Sequence, residues 1–533
     1  MTSSVASALK ERTESAQETQ EETTVMTARR PGRRAVMVSA VLTQLMIVLD
    51  LTIIAIALPR MQDDLGMTVS QSPWTVTGYS LAFGGLVLFG GRLCAVVGIR
   101  RSYQVGLIGF GVASLAAGMA TSFPILLVAR VAQGCFGALL APTSQSLLNV
   151  TFTERTERER VFAIFGATGG LGAAVGLLVG GALTDWISWR WALYINILLA
   201  TAALLIGQRS LPPADQRDRG SRITDDLTGL VLGCGACFSA VYGLDRAQQT
   251  SWTSTSTVSW LALGGIAAVL FVVRERFANR PVLPLSMMAL PVRAASYTTQ
   301  FIAGAAQMGA IIYLTYYMQN HFGYSPFKSG VVFLPMVLAL IATAIPAGRV
   351  IVPRLGARGT LPLGLAVLTG SFLIFSRMTT QSSYSQVALP GLIVFGIGLG
   401  LTMPVTFNSG TRGVDAKRTG LASAILSAAQ QIGGSFGVAL MTSYATQHAE
   451  DYVAEHSEEV RAAAMEAMMR AQALPQSPAG KQIIEALKAQ LVDRAQIEAY
   501  AGGFTMMAWI LAGAGAALVA CGIAVSVRRR RTR

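Results

Sequence analysis

Long apolar stretches recur from residue 36 to residue 526, and short polar connections separate most of them. A helix needs about 17 to 25 mainly apolar residues to cross a hydrocarbon core of about 30 Å. The pattern therefore predicts an all-α polytopic membrane protein with fourteen transmembrane helices. They are predicted at residues 36–58, 75–93, 103–121, 125–148, 161–184, 189–207, 227–244, 258–273, 296–317, 328–346, 359–376, 387–408, 419–441 and 503–526. The composition agrees, because only 13% of the residues are charged against about a quarter in soluble proteins.

The polar segments divide the chain into units. Residues 1–30 are rich in Ser, Thr, Glu and Gln, a composition typical of disorder. Asp226 stands where it can cap the helix predicted to begin at residue 227. The predicted units are a disordered cytosolic tail at 1–35, an N-terminal six-helix half at 36–207, linkers and an extra helix pair at 208–294, a C-terminal six-helix half at 295–527 that includes an extracytoplasmic amphipathic loop at 447–500, and a basic cytosolic tail at 528–533.

The distribution of Lys and Arg indicates the orientation. With the N-terminus inside, 30 of the 42 basic residues fall in cytosolic segments and 10 fall outside, as expected when cytoplasmic loops carry the excess of positive charge. The even number of spans returns the C-terminus to the cytosolic side. Topology and contact with anionic lipid account for the net charge of +14, so the lipid bilayer is an expected partner and nucleic acid is not.

A weak internal repeat favours two related halves. The run Gly91-Arg92-Leu93 ending at Gly98 resembles the run Gly348-Arg349-Val350 ending at Gly356. Each follows the second predicted helix of its half and leads into a short basic loop, which in the first half holds Arg100. The two spacings differ by one residue. Parallel halves of this kind place a substrate site near the membrane midplane between them.

Two charged residues within predicted spans are the main candidates for chemistry. An acid at the centre of a span costs about 2.5 to 3.5 kcal/mol on insertion scales, so it usually faces a cavity and has a function. Desolvation favours a neutral carboxylic acid and a nearby cation favours the carboxylate. We therefore expect Asp50 to take up and release a proton and to contact Arg130, directly or through Gln133 and water. The alternative is that Asp50 only caps or cross-links helices.

Gly172, Gly176 and Gly180 recur at every fourth position of the fifth predicted helix. This spacing places them on one face, so the helix can approach a neighbour closely. A dinucleotide-binding site is excluded because no strand precedes these glycines and the segment is itself a membrane span.

Aromatic, thioether and amide side chains in three spans are the candidate substrate contacts. Methionine adapts its shape to a ligand, and aromatic faces stack on ligands or bind cations. The alternative is that many of these side chains face lipid or a neighbouring helix. The candidates are Tyr79, Phe83, Gln300, Phe301, Gln307, Met308, Tyr313 and Asn408.

Several motifs resemble those of the major facilitator superfamily, and within it the fourteen-helix drug:proton antiporters of the multidrug efflux type. The run at 49–59, LDLTIIAIALP, is similar to the family signature LDxTIVNVALP, and the run at 130–134 matches RxxQG. Tyr324-Ser325-Pro326 and Gln431-Ile432-Gly433-Gly434 resemble later landmarks. The resemblance assigns proton coupling to Asp50 and Arg130. It assigns gating or motif roles to Pro59, Gly91, Arg92, Gly98, Arg100, Gln133, Gly134, Gly172, Gly176 and Gly180.

The chain departs from this family's pattern at three places. In the signature GxLxDRxGR after the second helix, Ala95 and Val96 replace the Asp and Arg, and Ile99 replaces the final Arg. In the fifth helix Leu177 stands where the antiporter motif has Pro, and in the first helix Ala55 stands where the signature has Asn.

The resemblance implies a secondary transporter of the bacterial plasma membrane that exports small amphipathic or cationic molecules in exchange for protons. We expect it to function as a monomer and to need no cofactor besides the proton motive force. A facilitator or importer without tight proton coupling, or a non-transporting membrane receptor, remains an alternative. An enzyme is not expected, because the sequence shows no nucleotide loop, no nucleophile–base pair and no metal-ligand spacing around its three histidines.

Overall fold

The computed structural model describes residues 30–531 except 69, 70, 72, 73, 209, 212–225, 279, 280, 282, 284–289, 415–418 and 471–477. The described residues form helices and connecting turns without a strand. The predicted all-α fold is therefore confirmed. Of the predicted disordered tail at 1–35, residues 1–29 lie outside the described residues, whereas residues 30–35 form the start of a helix that begins at Arg30.

We number the main helices α1 to α14. They are α1 Arg30–Leu65, α2 Trp74–Val97, α3 Ile99–Gly118, α4 Phe123–Thr151, α5 Arg155–Trp186, α6 Trp189–Gly207, α7 Leu227–Gln249, α8 Thr255–Phe277, α9 Pro291–Tyr316, α10 in two parts at Pro326–Val332 and Leu334–Pro346, α11 Val352–Phe375, α12 Leu389–Thr411, α13 Thr419–Arg470 and α14 Pro478–Arg531. Short π-helical segments extend α9 over Tyr317–His321 and α10 over Ala347–Ile351, and another, Tyr384–Ala388, precedes α12.

Eleven helical stretches among the described residues are long and apolar enough to cross a membrane. One of them, Phe327–Phe375, runs through both α10 and α11. Helices α3 and α5 are not among the eleven but belong to the same bundle. Helix α3 packs against α4, and α5 packs against α1. The helices therefore fit the predicted number of fourteen.

Most of the segment 447–500 is helical and continuous with the neighbouring spans. Helix α13 has 52 residues and α14 has 54. At 1.5 Å per residue each is about 80 Å long, far more than the hydrocarbon core of about 30 Å. The two helices therefore extend well beyond the bilayer.

The internal repeat is visible in the backbone. Gly98 joins α2 to α3 with φ 97°, and Gly356 occupies the matching turn of the second half with φ 66°. Glycine adopts positive φ at little cost, whereas other residues are strained there. The extra residue in the second copy coincides with the π-helical turn Ala347–Ile351, because a π turn accommodates one residue more than an α turn.

The helices also contact each other in a reciprocal way. Helix α2 packs against α13, and α5 packs against α10. If α9 to α14 repeat α1 to α6, each contact joins the second helix of one half to the fifth helix of the other. Such reciprocity is the mark of two halves related by a two-fold axis. We call the side of the bundle on which α1 begins the near side and the opposite side the far side.

The predicted cap at Asp226 is confirmed. Its carboxylate accepts a hydrogen bond from the backbone N–H of Gly229 at 3.0 Å, in the first turn of α7. A carboxylate at this position satisfies an otherwise unpaired donor and interacts favourably with the helix dipole.

Candidate functional site

Asp50 and Arg130 form an ion pair in the interior of the bundle. The Arg130 Nη1 donates to Asp50 Oδ2 at 2.6 Å, and both side chains are 0% exposed. The pair joins α1 to α4. Two opposite charges out of water are stable only when their geometry is good and further hydrogen bonds satisfy them.

Amide side chains supply those further bonds. Gln133 Oε1 accepts from Arg130 Nη1 at 2.9 Å, and Gln133 Nε2 donates to Ser114 on α3 at 2.7 Å. Asn196 Nδ2 donates to Asp50 Oδ1 at 2.6 Å. The pair therefore sits in a network shared by α1, α3, α4 and α6.

Asn196 is a member of this site that the sequence analysis did not single out. It lies between Ile195 and Ile197 in the apolar helix α6, and it is 0% exposed. A lone amide in such a helix is a signal that could have found it, because a buried amide needs a polar partner.

Two of the predicted substrate contacts, Tyr79 and Phe83, lie next to the charge network. The Arg130 guanidinium lies 4.5 Å from the centre of the Tyr79 ring, a distance typical of a cation–π contact. Phe83 stacks on Tyr79 with ring centres 5.9 Å apart. Arg130 Nε also donates to the backbone oxygen of Thr75 at 3.0 Å, which fixes α4 to the far end of α2.

The glycine face of α5 packs directly on the part of α1 that carries Asp50. A Cβ added to Gly172 would lie 3.0 Å from Val48, and one added to Gly180 would lie 3.0 Å from Ile53. A Cβ on Gly176 would overlap the hydroxyl of Thr52. The helix approach predicted from the glycine spacing is therefore present, and the neighbour is α1.

The other predicted motif residues lie mostly at helix contacts. Gly134 lies against the backbone of Tyr79. Arg100 Nη2 donates to the backbone oxygen of Gln208 at 3.3 Å, and Arg92 is half-buried near the end of α2. The side chain of Pro59 lies outside the described residues.

The predicted substrate contacts on α9 and α12 are mostly packed between helices. Gln300 Oε1 accepts from the Thr406 hydroxyl at 2.5 Å. The rings of Phe301 and Phe436 are centred 5.6 Å apart, and those of Tyr313 and Tyr500 are 5.0 Å apart.

Met308 and two amides complete this predicted set. Met308 lies on the surface of α9 next to Gly434 of α13. Gln307 is 4% exposed and Asn408 is 8% exposed. Of the eight candidates, Tyr79 and Phe83 on α2 contact each other through their rings, whereas the other six lie on α9 and α12 of the second half.

A second carboxylate anchors the far end of α1. Asp64 Oδ2 accepts from Arg190 Nη1 at 2.5 Å and from Trp189 Nε1 at 3.1 Å. These hydrogen bonds, that from Arg190 first, hold the pKa of Asp64 below its usual value. These hydrogen bonds stabilise the folded protein fully at a pH above the pKa of an unfolded-state Asp. The stabilisation is lost as the pH falls through the lower pKa that Asp64 has in the folded protein. Asp64 therefore stays charged and ties α1 to α6.

Uncharged hydrogen bonds join the two parts of the bundle on the near side. Gln145 Nε2 on α4 donates to Ser427 Oγ on α13 at 3.1 Å, and Thr411 on α12 donates to Asn149 Oδ1 on α4 at 3.1 Å. Gly91 on α2 lies against Gly420 and Ala424 of α13. These neutral bonds and small residues lie at the end of α2 where Ala95 replaces the acid of the family signature.

Weakening these bonds should open the near side. The double substitution Ser427→Ala and Thr411→Val removes two hydrogen bonds, worth about 1 kcal/mol each, and should shift the population of the closed state severalfold. Pulsed electron resonance between spin labels at Glu154 and Arg412, both exposed, measures this closure. Thr369→Val is a matched control, because its hydroxyl bonds only within its own helix. An unchanged distance distribution in the double variant would contradict the assignment.

Comparison with known proteins identifies the family. The model of the Major Facilitator Superfamily matches residues 40–438. The chain belongs to the Major Facilitator Superfamily. It is therefore a multi-pass membrane transporter and not an enzyme.

Curated relatives of this superfamily member cover most of its length. It is 39% identical over 416 residues to the puromycin resistance protein pur8 of Streptomyces alboniger, which is 78% of this chain and 82% of that one. It is 33% identical over 406 residues to the cephamycin export protein CmcT of Amycolatopsis lactamdurans, which is 76% of this chain and 83% of that one.

A solved structure shares the fold. The human organic anion transporter MFSD10 (TETRAN) superposes with a TM-score of 0.56 at 13% identity, over 91% of this chain and 99% of that one. At this identity the likeness concerns the fold alone.

Proposed function

We propose that this transporter exports drugs or amphipathic secondary metabolites from a bacterial cell in exchange for protons. The observation that carries the proposal is the fully buried pair of Asp50 and Arg130, which is one protonatable acid held against one fixed cation. Intramembrane charges of this kind commonly form proton relays in transporters. The relatives named for puromycin resistance and cephamycin export support the direction and the substrate class.

The near side is proposed to be cytosolic. This assignment follows the positive-inside rule, since the near ends of the helices carry most of the basic residues. The structure then has its cytosolic side closed.

Proton uptake at Asp50 would change what the network holds together. Neutral Asp50 no longer balances the charge of Arg130, so the ion pair between α1 and α4 weakens. The Asn196 amide can bond to Asp50 in both protonation states. Its N–H donates to the charged carboxylate. Its oxygen makes no hydrogen bond within the described residues and can accept from the neutral carboxylic acid after the amide rotates. Each state would then be coupled to a different arrangement of α1, α4 and α6.

Asn196→Leu should slow proton-driven export about tenfold. The substitution removes the donor to Asp50 Oδ1. A lost hydrogen bond to a buried charged group costs about 1.5 to 3 kcal/mol, and a barrier higher by about 1.4 kcal/mol slows a reaction tenfold. Initial rates in inverted membrane vesicles measure the effect. Asn196→Gln keeps an amide and should recover part of the rate; equal rates for wild type and Asn196→Leu would remove Asn196 from the mechanism.

The buried amides Gln300, Gln307 and Asn408 are proposed to line the substrate route in the second half. All three are neutral, and the oxygens of Gln307 and Asn408 make no hydrogen bond within the described residues. They therefore suit the hydroxyl and amino groups of amphipathic natural products.

A facilitator without tight proton coupling is the second candidate. The near side favours it, because Ala95 replaces the acid of the family signature, and the bonds from Gln145 to Ser427 and from Thr411 to Asn149 are uncharged. A susceptibility panel in a pump-deficient host separates the two, comparing wild type with Asp50→Asn for puromycin, lincomycin and cationic dyes. Resistance that depends on Asp50 supports exchange with protons, and equal resistance in both supports the facilitator.

A further inference from the structure

The helix pair α7–α8 packs over one of the two seams between the halves. The α2–α13 seam and the α5–α10 seam are the two places where reciprocal helices meet. Helix α7 contacts both α2 and α13. At Gly84 of α2, a Cβ would lie 3.0 Å from Val241 of α7 and 3.5 Å from Gln431 of α13. Three helices therefore meet along the α2–α13 seam.

Apolar packing extends this contact along the seam. One buried cluster joins Leu88 of α2, Cys237 of α7 and Ala428 of α13. A second cluster, nearer the far side, joins Leu244 of α7 to Ala439 of α13. Packed apolar side chains therefore close the seam at both levels.

Polar and aromatic contacts hold the far end of the pair. Thr77 on α2 donates to Asp245 Oδ1 on α7 at 2.9 Å. Trp252, between α7 and α8, lies with its ring centre 6.5 Å from that of Phe436 on α13. The pair is thus attached to the first half and to the second.

The outer surface of the pair suits lipid. Only 17% of the most apolar stretch of α8 is buried within the protein. Ile266, at the middle of α8, is 59% exposed. Helix α8 packs mainly on α7. The pair therefore stands between the α2–α13 seam and the bilayer.

The α5–α10 seam has no such cover among the described helices. Besides α12, which corresponds to α4 in the other half, no described helix packs extensively on both α5 and α10. A Cβ on Gly330 of α10 would lie 2.9 Å from Leu178 of α5, so the two helices touch directly. Trp186 is 78% exposed, and Leu338 on α10 is 66% exposed.

We propose that substrates dissolved in the bilayer pass laterally through the α5–α10 seam only, because α7–α8 seals the seam on the opposite side. The inference rests on the proposed export function and adds the route. Rocking of two halves loosens contacts along both seams, but only the α5–α10 seam then opens to lipid. The substrates concerned are amphipathic molecules that partition into the membrane before they bind.

A bulky label on each side tests the route. The five cysteines are first replaced. Two variants, Leu338→Cys and Ile266→Cys, then each carry a single thiol at a lipid-facing position, and the two positions are similarly exposed. Both proteins are labelled with pyrene maleimide in proteoliposomes. The kinetics of Hoechst 33342 uptake driven by a pH gradient are then measured with and without label.

The label at residue 338 should raise the apparent KM for the dye at least about fivefold with little change in kcat, because it hinders entry and not the chemistry of exchange. The label at residue 266 should leave both parameters unchanged. Three results would each overturn the route: an unchanged KM with the label at residue 338, an equal rise in KM with the label at residue 266, or a fall in kcat with the label at residue 338. The last result would mean that the label obstructs the motion of the helices. Absence of pH-driven uptake by the unlabelled proteins would instead overturn the proposed function on which the route rests.

Discussion

Asp50→Asn should abolish proton-driven export and also destabilise the protein. The substitution leaves Arg130 with no counter-charge among its described contacts, and Arg130 is 0% exposed. Removing one partner of a buried ion pair typically costs about 3 to 5 kcal/mol. Transport in inverted vesicles under an imposed pH gradient and thermal unfolding of the purified protein measure the two effects.

A second variant separates coupling from stability. Asp50→Asn combined with Arg130→Gln removes both charges, so that no uncompensated charge remains buried. The double variant should therefore be more stable than Asp50→Asn alone and should still lack proton-driven export. If neutralising both charges left pH-driven export intact, the pair would be structural and the coupling group would lie elsewhere.

Gly176→Ala should also abolish most transport. The added methyl group would overlap the hydroxyl of Thr52, two residues from Asp50, so α1 and α5 would have to separate. Overpacking of a tight contact costs about 1 to 3 kcal/mol, and here the displaced helix carries the coupling acid. Vesicle transport and thermal unfolding again provide the readouts.

Two controls make this prediction specific. Thr52→Gly in the Gly176→Ala background removes the atoms that collide and should recover part of the transport. Gly265→Ala on α8 adds a methyl group with nothing within 4 Å and should change neither readout. Normal transport by Gly176→Ala would show that the approach of α1 and α5 does not matter for coupling.

The sequence was sufficient to find the ion pair because charges in apolar spans are rare and costly. It could not show that Asn196 completes the pair, since a neutral amide is tolerated in a span and its partner depends on how α6 packs on α1. For Tyr79 and Phe83, the residue types predicted ligand contacts, and the structure adds that Tyr79 lies against Arg130 with Phe83 stacked on it. An aromatic face binds a neighbouring arginine by the same physics as it binds a cationic ligand.

The fold was predictable to a similar degree. Apolar stretches predicted the helices, and the glycine pattern predicted that α5 approaches a neighbour, but neither identifies which helices meet. The one-residue mismatch in the repeat had no explanation until the π-helical turn Ala347–Ile351 was seen. The amphipathic composition of 447–500 predicted a loop outside the membrane, whereas most of this segment continues α13 and α14, because polar residues do not end a helix.

The direct test of the central claim is whether substrate movement alone drives proton movement. Purified protein is reconstituted into liposomes that enclose a pH-sensitive dye, and a gradient of a substrate identified in the susceptibility panel is imposed without a pH gradient. Proton movement opposite to the substrate, present in wild type and absent in Asp50→Asn, is the predicted result. Substrate flux through the wild type with no accompanying change in internal pH would contradict exchange with protons.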